Sequence, residues 1–217
     1  EGFPGNLEVE MIYRLEEEEN AIVIEYRATT DKATVVNLTN HGFFNLAGTA
    51  NPTPTVENNI VTINADFYTP IDEVSIPTGE IAKVEGTPMD FRTPTPVGER
   101  INDYDFVQLK NGNGYDHNWV IDRKTESGIE QVATVWEPAS GRTIEVLSDQ
   151  PGLQVYSGNF FDGKSIGKYG KPQRYRESLA LETQKFPDSP NHDNFPSTVL
   201  RPGETYTQVC IYKFGVK

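Results

Sequence analysis

A carboxylate and an amide stand close together near the end of a strand-like stretch, residues 179–191. Side chains alternate along a strand, so Glu182 and Gln184 share the face opposite two leucines. Pro187 and Pro190 then end the strand, because proline cannot donate to a sheet ladder and fixes φ. This pattern favours Glu182 as an acid–base group aimed into a cleft, although an isolated strand carboxylate is also compatible with a solvated surface position.

A histidine ends a second polar segment. Asn37, Thr39 and His41 alternate onto one face, while Leu38 lies on the other. A polar strand face needs water or a ligand, because buried unpaired polar groups are costly. His41 is therefore either a titrating group of a functional site or a histidine that caps a turn.

A third candidate carboxylate, Asp116, follows the flexible stretch 111–114 and precedes a strand. It reads either as an ordinary turn aspartate or as a ligand-binding group. Its neighbour His117 alternates to the opposite face and is predicted to be structural. Trp119 and Phe44 are candidates for a platform under a sugar ring, but core packing is the preferred interpretation.

The composition excludes several functions. The 217 residues carry 19 basic and 32 acidic side chains, a net charge of −13. Such a chain lacks the basic stripe that nucleic-acid binding needs and is unsuited to anionic membranes, whereas a neutral polyol substrate is compatible. With one cysteine and three dispersed histidines, no metal-ligand spacing stands out, and Cys210 is predicted to lie in the core.

Short alternating segments separated by turn residues predict an all-β chain, which we interpret as one sandwich domain over residues 1–217. The predicted strands span residues 7–15, 21–28, 34–39, 60–67, 131–136, 142–148, 153–156 and 205–214, with further strands after Asp116 and at the start of residues 179–191. The first three are predicted to form an antiparallel meander. No useful stretch has helical periodicity.

Three segments together resemble the galactose mutarotase (aldose 1-epimerase) family: NLTNHGFFNL at 37–46, GYDHNWV at 114–120 and LETQKFPDSPN at 181–191. The resemblance implies a β-supersandwich fold and interconversion of the α and β anomers of an aldose such as galactose or glucose, with no cofactor or metal. It places the catalytic groups on His41 and Glu182 and a sugar-binding carboxylate on Asp116. Gln184, which shares the face of Glu182, and Asn40 are further candidate sugar-binding residues.

Family members carry an N-terminal portion that precedes the first residue here, so we expect a chain truncated at the N-terminus. Without that portion, sheet edges and apolar surface should be uncovered. We therefore expect weak or no activity from the isolated chain, and association with the missing portion or with a second copy. The sequence does not indicate the cellular compartment of the protein.

Mutarotation requires a base for the C1 hydroxyl and an acid for the ring oxygen. We assign Glu182 as base and His41 as acid, which predicts a Glu182 pKa well below that of His41. Two alternatives remain: a non-catalytic carbohydrate-binding module, and a glycosidase that uses Glu182 and Asp116 as its carboxyl pair. Convergence of His41 and Glu182 on one cleft, with room for a sugar ring between them, would favour the epimerase.

Overall fold

The computed structural model describes residues 2–48, 51 and 54–217. Within this part of the chain, strands dominate, and helices are limited to α1 (Val107–Gly112) and to 3-10 turns at Val97–Glu99, Lys168–Gly170 and Ser189–Asn191. The strands are β1 (Leu7–Glu16), β2 (Ala21–Thr30), β3 (Thr34–Val35), β4 (Phe43–Phe44), β5 (Ile60–Ile63), β6 (Phe67–Thr69), β7 (Ala82–Lys83), β8 (Thr95–Pro96), β9 (Asp116–Val120), β10 (Glu130–Trp136), β11 (Arg142–Ser148), β12 (Gly152–Tyr156), β13 (Asp162–Ile166), β14 (Pro172–Arg174), β15 (Leu179–Gln184), β16 (Val199–Leu200) and β17 (Tyr206–Val216).

The strands form two large antiparallel sheets. One has seven strands in the order β1-β2-β17-β11-β10-β5-β8, and the other has six in the order β4-β15-β12-β9-β6-β7. Two short pairs, β3 with β16 and β13 with β14, lie outside these sheets. The all-β prediction is therefore confirmed.

The core lies where the inward faces of the two sheets meet. Trp119, Leu153 and Leu181 of the six-stranded sheet share one apolar cluster with Ile24 and Tyr212 of the seven-stranded sheet. The Tyr212 hydroxyl also donates to the Leu181 carbonyl oxygen at 2.6 Å, which ties β17 to β15 across the core. The face of β15 that carries Leu181 is thus fixed inward, and Glu182 must point outward on the other side of the sheet.

The strand prediction for residues 142–148 matches β11 at both ends, and the strand predicted at the start of residues 179–191 is β15. The predicted strand 34–39 is wrong beyond Val35: β3 pairs with β16 and not with β2, so the expected meander reduces to the β1–β2 hairpin. The predicted strand 60–67 is two strands. The chain leaves the seven-stranded sheet after Ile63 and joins the six-stranded sheet at Phe67.

One apolar stripe is uncovered. Along β1, alternate residues are apolar, and they share a face with the buried side chains of β2, because Met11 pairs with Tyr26 and Tyr13 with Ile24. Met11 and Tyr13 are nevertheless 51% and 54% exposed. The inward face of the seven-stranded sheet therefore extends to an edge that nothing in the described chain covers, as the sequence predicted.

Cys210 is buried, and burial raises the pKa of its thiol to about 11, consistent with the predicted core position. In the described part of the chain, no helix has the length and apolar character needed to span a membrane.

Candidate active site

His41 and Glu182 meet at one surface of the six-stranded sheet. The His41 Nε2 atom lies 3.3 Å from Glu182 Oε1. The His41 side chain is 53% exposed, whereas the Glu182 side chain is 9% exposed. The two predicted catalytic residues, 141 positions apart in the sequence, thus converge, but they touch and do not flank a gap as wide as a sugar ring.

Side-chain hydrogen bonds hold the His41 segment against β15. The Asn37 amide donates to the Lys185 carbonyl oxygen and accepts from the Lys185 N–H, both at 2.9 Å. The Thr39 hydroxyl donates to the Thr183 carbonyl oxygen at 3.1 Å. The expectation that this polar face needs water or a ligand is therefore corrected for Asn37 and Thr39, whose partners are backbone groups of β15 and of Lys185, the residue after it.

Asn40 fixes the turn that carries His41. Its Oδ1 atom accepts from the Gly42 N–H at 3.1 Å, and its amide nitrogen donates to the Tyr13 hydroxyl of β1. Both ends of the Asn40 side chain therefore have protein partners. Its predicted contact with sugar stays a prediction, and the observed bonds give it a role in orienting His41.

Asp116 begins β9, on the same face of the sheet as Glu182. It pairs with Tyr156 of β12, which in turn pairs with Ala180 of β15, so all three face the same side. The Gln154 amide nitrogen donates to Asp116 Oδ1 at 2.8 Å. Asp116 thus joins the site as predicted and is only partly buried.

Gln154 belongs to this constellation, although the sequence did not single it out. It stands directly opposite Glu182 in the β12–β15 register and bonds to Asp116. Alternation alone would have placed it on one face of its strand, but only the long-range register shows that this face is the site. Gln184, the predicted neighbour of Glu182, is 8% exposed on the same face.

Aromatic rings form the rim beside His41. The Phe43 ring centroid lies 4.9 Å from that of His41 and 5.1 Å from that of Phe161. Tyr156 lies 6.4 Å from both His41 and Phe43. Such faces suit the apolar side of a sugar ring, and they replace the pair considered from sequence: Trp119 is fully buried and Phe44 packs on Tyr212.

Burial sets the electrostatics of the site. The pKa of Glu182 is raised from 4.5 to about 7, chiefly by desolvation, while the His41 charge lowers it and the nearby Asp116 charge raises it. Desolvation also raises the pKa of Asp116, against the Gln154 hydrogen bond and the His41 charge, which lower it. Desolvation of the carboxylate on the sheet thus acts against the separation expected from the sequence, a Glu182 pKa well below that of His41.

His117 lies on the opposite face, as predicted. It is fully buried, and desolvation lowers its pKa to about 3, so it stays neutral and structural. Among the described residues, no group of three or more histidine, cysteine, aspartate or glutamate side chains is arranged to hold a metal ion. What the site offers is a carboxyl group that titrates near neutrality, an adjacent imidazole and polar groups suited to hydroxyls.

Comparison with known proteins matches the sequence of this chain to one family. The sequence model described as aldose 1-epimerase matches residues 1–213. The chain is 44% identical over 216 residues to galactose mutarotase of Homo sapiens, covering 100% of this chain, and 40% identical over 217 residues to aldose 1-epimerase of Escherichia coli (strain K12), covering 99%. It spans 60% of the length of either relative.

Solved structures agree with the fold. An aldose epimerase homologue from C. elegans superposes with a TM-score of 0.83 at 30% identity, over 99% of this chain and 62% of that one. A galactose 1-epimerase from Lactobacillus acidophilus NCFM superposes with a TM-score of 0.81 at 29% identity, over 99% and 58% of the two chains. The fold of this chain therefore recurs in these proteins.

Proposed function

Because the chain belongs to the aldose 1-epimerase family, we propose that it interconverts the α and β anomers of an aldose such as galactose or glucose. The observation that supports this proposal best is the contact of His41 with Glu182 on an accessible surface, 3.3 Å apart, beside hydrogen-bonding groups suited to a polyol. A glycosidase is less well supported, since its second carboxyl, Asp116, is already bonded to Gln154.

In the proposed reaction, Glu182 removes the proton from the anomeric hydroxyl while protonated His41 gives a proton to the ring oxygen. The bond between C1 and the ring oxygen breaks, which leaves an open-chain aldehyde, a neutral carboxyl group and a neutral imidazole. After rotation about the C1–C2 bond, the hydroxyl formed from the former ring oxygen attacks the other face of the aldehyde. His41 then takes back its proton, and Glu182 returns its proton to the new anomeric oxygen.

The direct contact of the two groups suits this chemistry. The anomeric hydroxyl and the ring oxygen are bonded to the same carbon, so an acid and a base that lie next to each other can reach both atoms. The sugar would lie over the pair and not between its members. The exposed imidazole can turn aside without disturbing the core, whereas the Glu182 carboxylate is held on the sheet.

Asp116 would accept hydrogen bonds from the ring hydroxyls, and Gln154 would exchange hydrogen bonds with them. Gln184 and Asn40 are further candidate contacts. Asp116 and Gln154 already share a hydrogen bond of 2.8 Å, so they present a preformed polar pair to the ligand. The Phe43 ring beside His41 would pack on an apolar face of the sugar.

Full activity requires protein that covers the stripe formed by Val9, Met11 and Tyr13 of β1. Tyr13 connects this stripe to the site, because its hydroxyl accepts from the Asn40 amide next to His41. The cover is either further residues of the same protein or a second copy of this chain. The net charge of −13 argues against nucleic acid and anionic membranes as partners.

The test is the rate at which fresh α-galactose or α-glucose loses optical rotation, with the protein at its full natural length. Glu182→Gln should lower the catalysed rate by roughly 100- to 10,000-fold while sugar binding persists. Glu8→Gln, an exposed carboxylate of β1, is the matched control. An unchanged rate in Glu182→Gln would remove Glu182 from the mechanism, and sugar binding without any wild-type catalysis would favour the non-catalytic binding module.

A further inference from the structure

A continuous row of polar side chains runs from Glu182 into the interior of the six-stranded sheet. Asn118 of β9 pairs with Gln154 of β12, which pairs with Glu182 of β15. On the other side, Asn118 pairs with Thr69 of β6. Paired residues face the same side of a sheet with Cβ atoms about 5 Å apart, so these four side chains form one line across four strands.

The inner part of this row is buried without partners among the described protein atoms. Thr69 is fully buried and Asn118 is 1% exposed. The Thr69 hydroxyl, both polar atoms of the Asn118 amide and the Gln154 Oε1 atom have no protein hydrogen-bond partner in the described chain. Each such group is costly to bury unpaired, whereas one or two ordered water molecules would satisfy several of them together.

A glycine provides the space. On the strand between β9 and β15, Gly152 faces the same side as Gln154, and a Cβ atom at this position would lie 2.3 Å from Asn118 Oδ1. The Asn118 amide therefore occupies the space that the side chain of any other residue at position 152 would fill. This placement sets the Asn118 amide beside Gln154, its partner in the β9–β12 register.

We infer that Asn118 is a positioning residue for the proposed reaction: through a bridging water, it orients the Gln154 amide toward Asp116. This inference rests on the proposed function only for its effect on turnover. A glutamine amide has two orientations, and only one presents its N–H to the Asp116 carboxylate. A donor at the Oε1 end selects that orientation, and the Asn118 amide and its water can supply one. Asp116 thereby keeps a fixed hydrogen-bond geometry toward the sugar.

The first measurement does not depend on catalysis. In protein of full natural length, the pKa of Asp116 is followed by carboxyl ¹³C NMR in wild type and in Asn118→Leu, which removes both polar atoms at similar volume. Because the Gln154 hydrogen bond lowers the Asp116 pKa, its loss should raise that pKa by roughly one unit. Asn118→Ser, whose hydroxyl can hold water, should restore part of the difference.

Asn59→Leu is the matched control. Asn59 is likewise 1% exposed with an unpartnered Oδ1 atom, but it precedes β5 of the seven-stranded sheet, away from the site. The substitution Asn59→Leu should lower the free energy of unfolding without changing the pKa of Asp116. An unchanged Asp116 pKa in folded Asn118→Leu, or an equal shift in Asn59→Leu, would overturn the inference.

The second measurement separates this inference from the proposed function. If wild type epimerises sugar, Asn118→Leu should raise KM about threefold to tenfold with a smaller change in kcat, because Asp116 is assigned to binding. If wild type shows no epimerisation, the proposed function fails, while the Asp116 titration still decides the role of Asn118.

Discussion

The Glu182 carboxylate, almost entirely withdrawn from solvent, contacts a His41 imidazole that is half exposed. Because of this difference in exposure, the two groups have different roles. The carboxylate lies on β15, where desolvation is the main cause that raises its pKa to about 7, and the imidazole is accessible to water. A carboxylate with so high a pKa is a stronger base than an exposed one, and it stays partly ionised at neutral pH.

The rate of epimerisation should fall as the pH is lowered through about 7. The base must be ionised, and the pKa of Glu182 is raised to about 7, so kcat/KM at about pH 6 should be roughly tenfold below its plateau. The measurement is polarimetry with the uncatalysed rate subtracted at each pH. An acid limb near the ordinary glutamate value of 4.5 would contradict the desolvated base.

Replacing Glu182 by glutamine should stabilise the fold at high pH. Because the folded-state pKa is raised, the folded protein binds a proton more tightly than the unfolded chain, and wild-type stability falls as pH rises from about 4.5 to about 7. Between about pH 5.5 and about pH 8.5, wild type should lose about 2 kcal/mol that Glu182→Gln does not lose. Urea unfolding of both proteins at the two pH values measures this difference.

The same titration with Glu8→Gln provides the comparison, because Glu8 is an exposed carboxylate of β1. Its pH dependence should follow that of wild type. If Glu182→Gln also followed wild type, the carboxylate would not be desolvated in solution.

The sequence predicted the core strands well and the connections poorly. In β11, burial alternates to both ends of the strand because one face is buried against the opposite sheet. The stretch 60–67 alternates as one strand, yet the chain changes sheets within it. The Asn64 N–H bonds to the Val132 carbonyl oxygen while Phe67 pairs with Val120. Nothing local distinguishes such a crossing from a continuous strand.

The candidate site was predictable where it depends on residue type and not where it depends on register. His41 and Glu182 stood out by residue type and by their segments, whereas Asp116 was assigned through the family resemblance. Gln154 and Asn118 did not, because their importance comes from standing beside Glu182 across strands far apart in sequence. The raised Glu182 pKa was missed for a related reason, since burial of that carboxylate depends on packing around the whole sheet.

Asn37→Ala should lower activity more than its effect on stability would suggest. It removes two hydrogen bonds to Lys185 that hold the His41 segment on β15, at a cost of about 1–3 kcal/mol of folding free energy. A displacement of His41 by about 1 Å should then lower the rate up to roughly 100-fold. Stability is measured by urea unfolding and activity by polarimetry.

The variant Asn64→Ala separates the loss of stability from the loss of activity caused by displacement of His41. Asn64 also donates from its side chain to a backbone carbonyl, that of Gln131, but it lies next to β5 of the seven-stranded sheet. This variant should lose stability and keep its rate in the folded state. Equal losses of activity in the two variants would contradict a specific role for Asn37.

The exposed stripe on β1 should drive association of the 217-residue chain. Met11 and Tyr13 continue the inward face of the seven-stranded sheet and are about half exposed, and the free edge of β1 offers unpaired backbone groups for a further strand. Sedimentation velocity should detect dimers or larger species. The double variant Val9→Lys with Met11→Glu should shift the chain toward monomer, whereas Glu10→Lys, on the opposite face of the same strand, should not. A wild-type chain that stays monomeric and fully active would show that the stripe needs no cover.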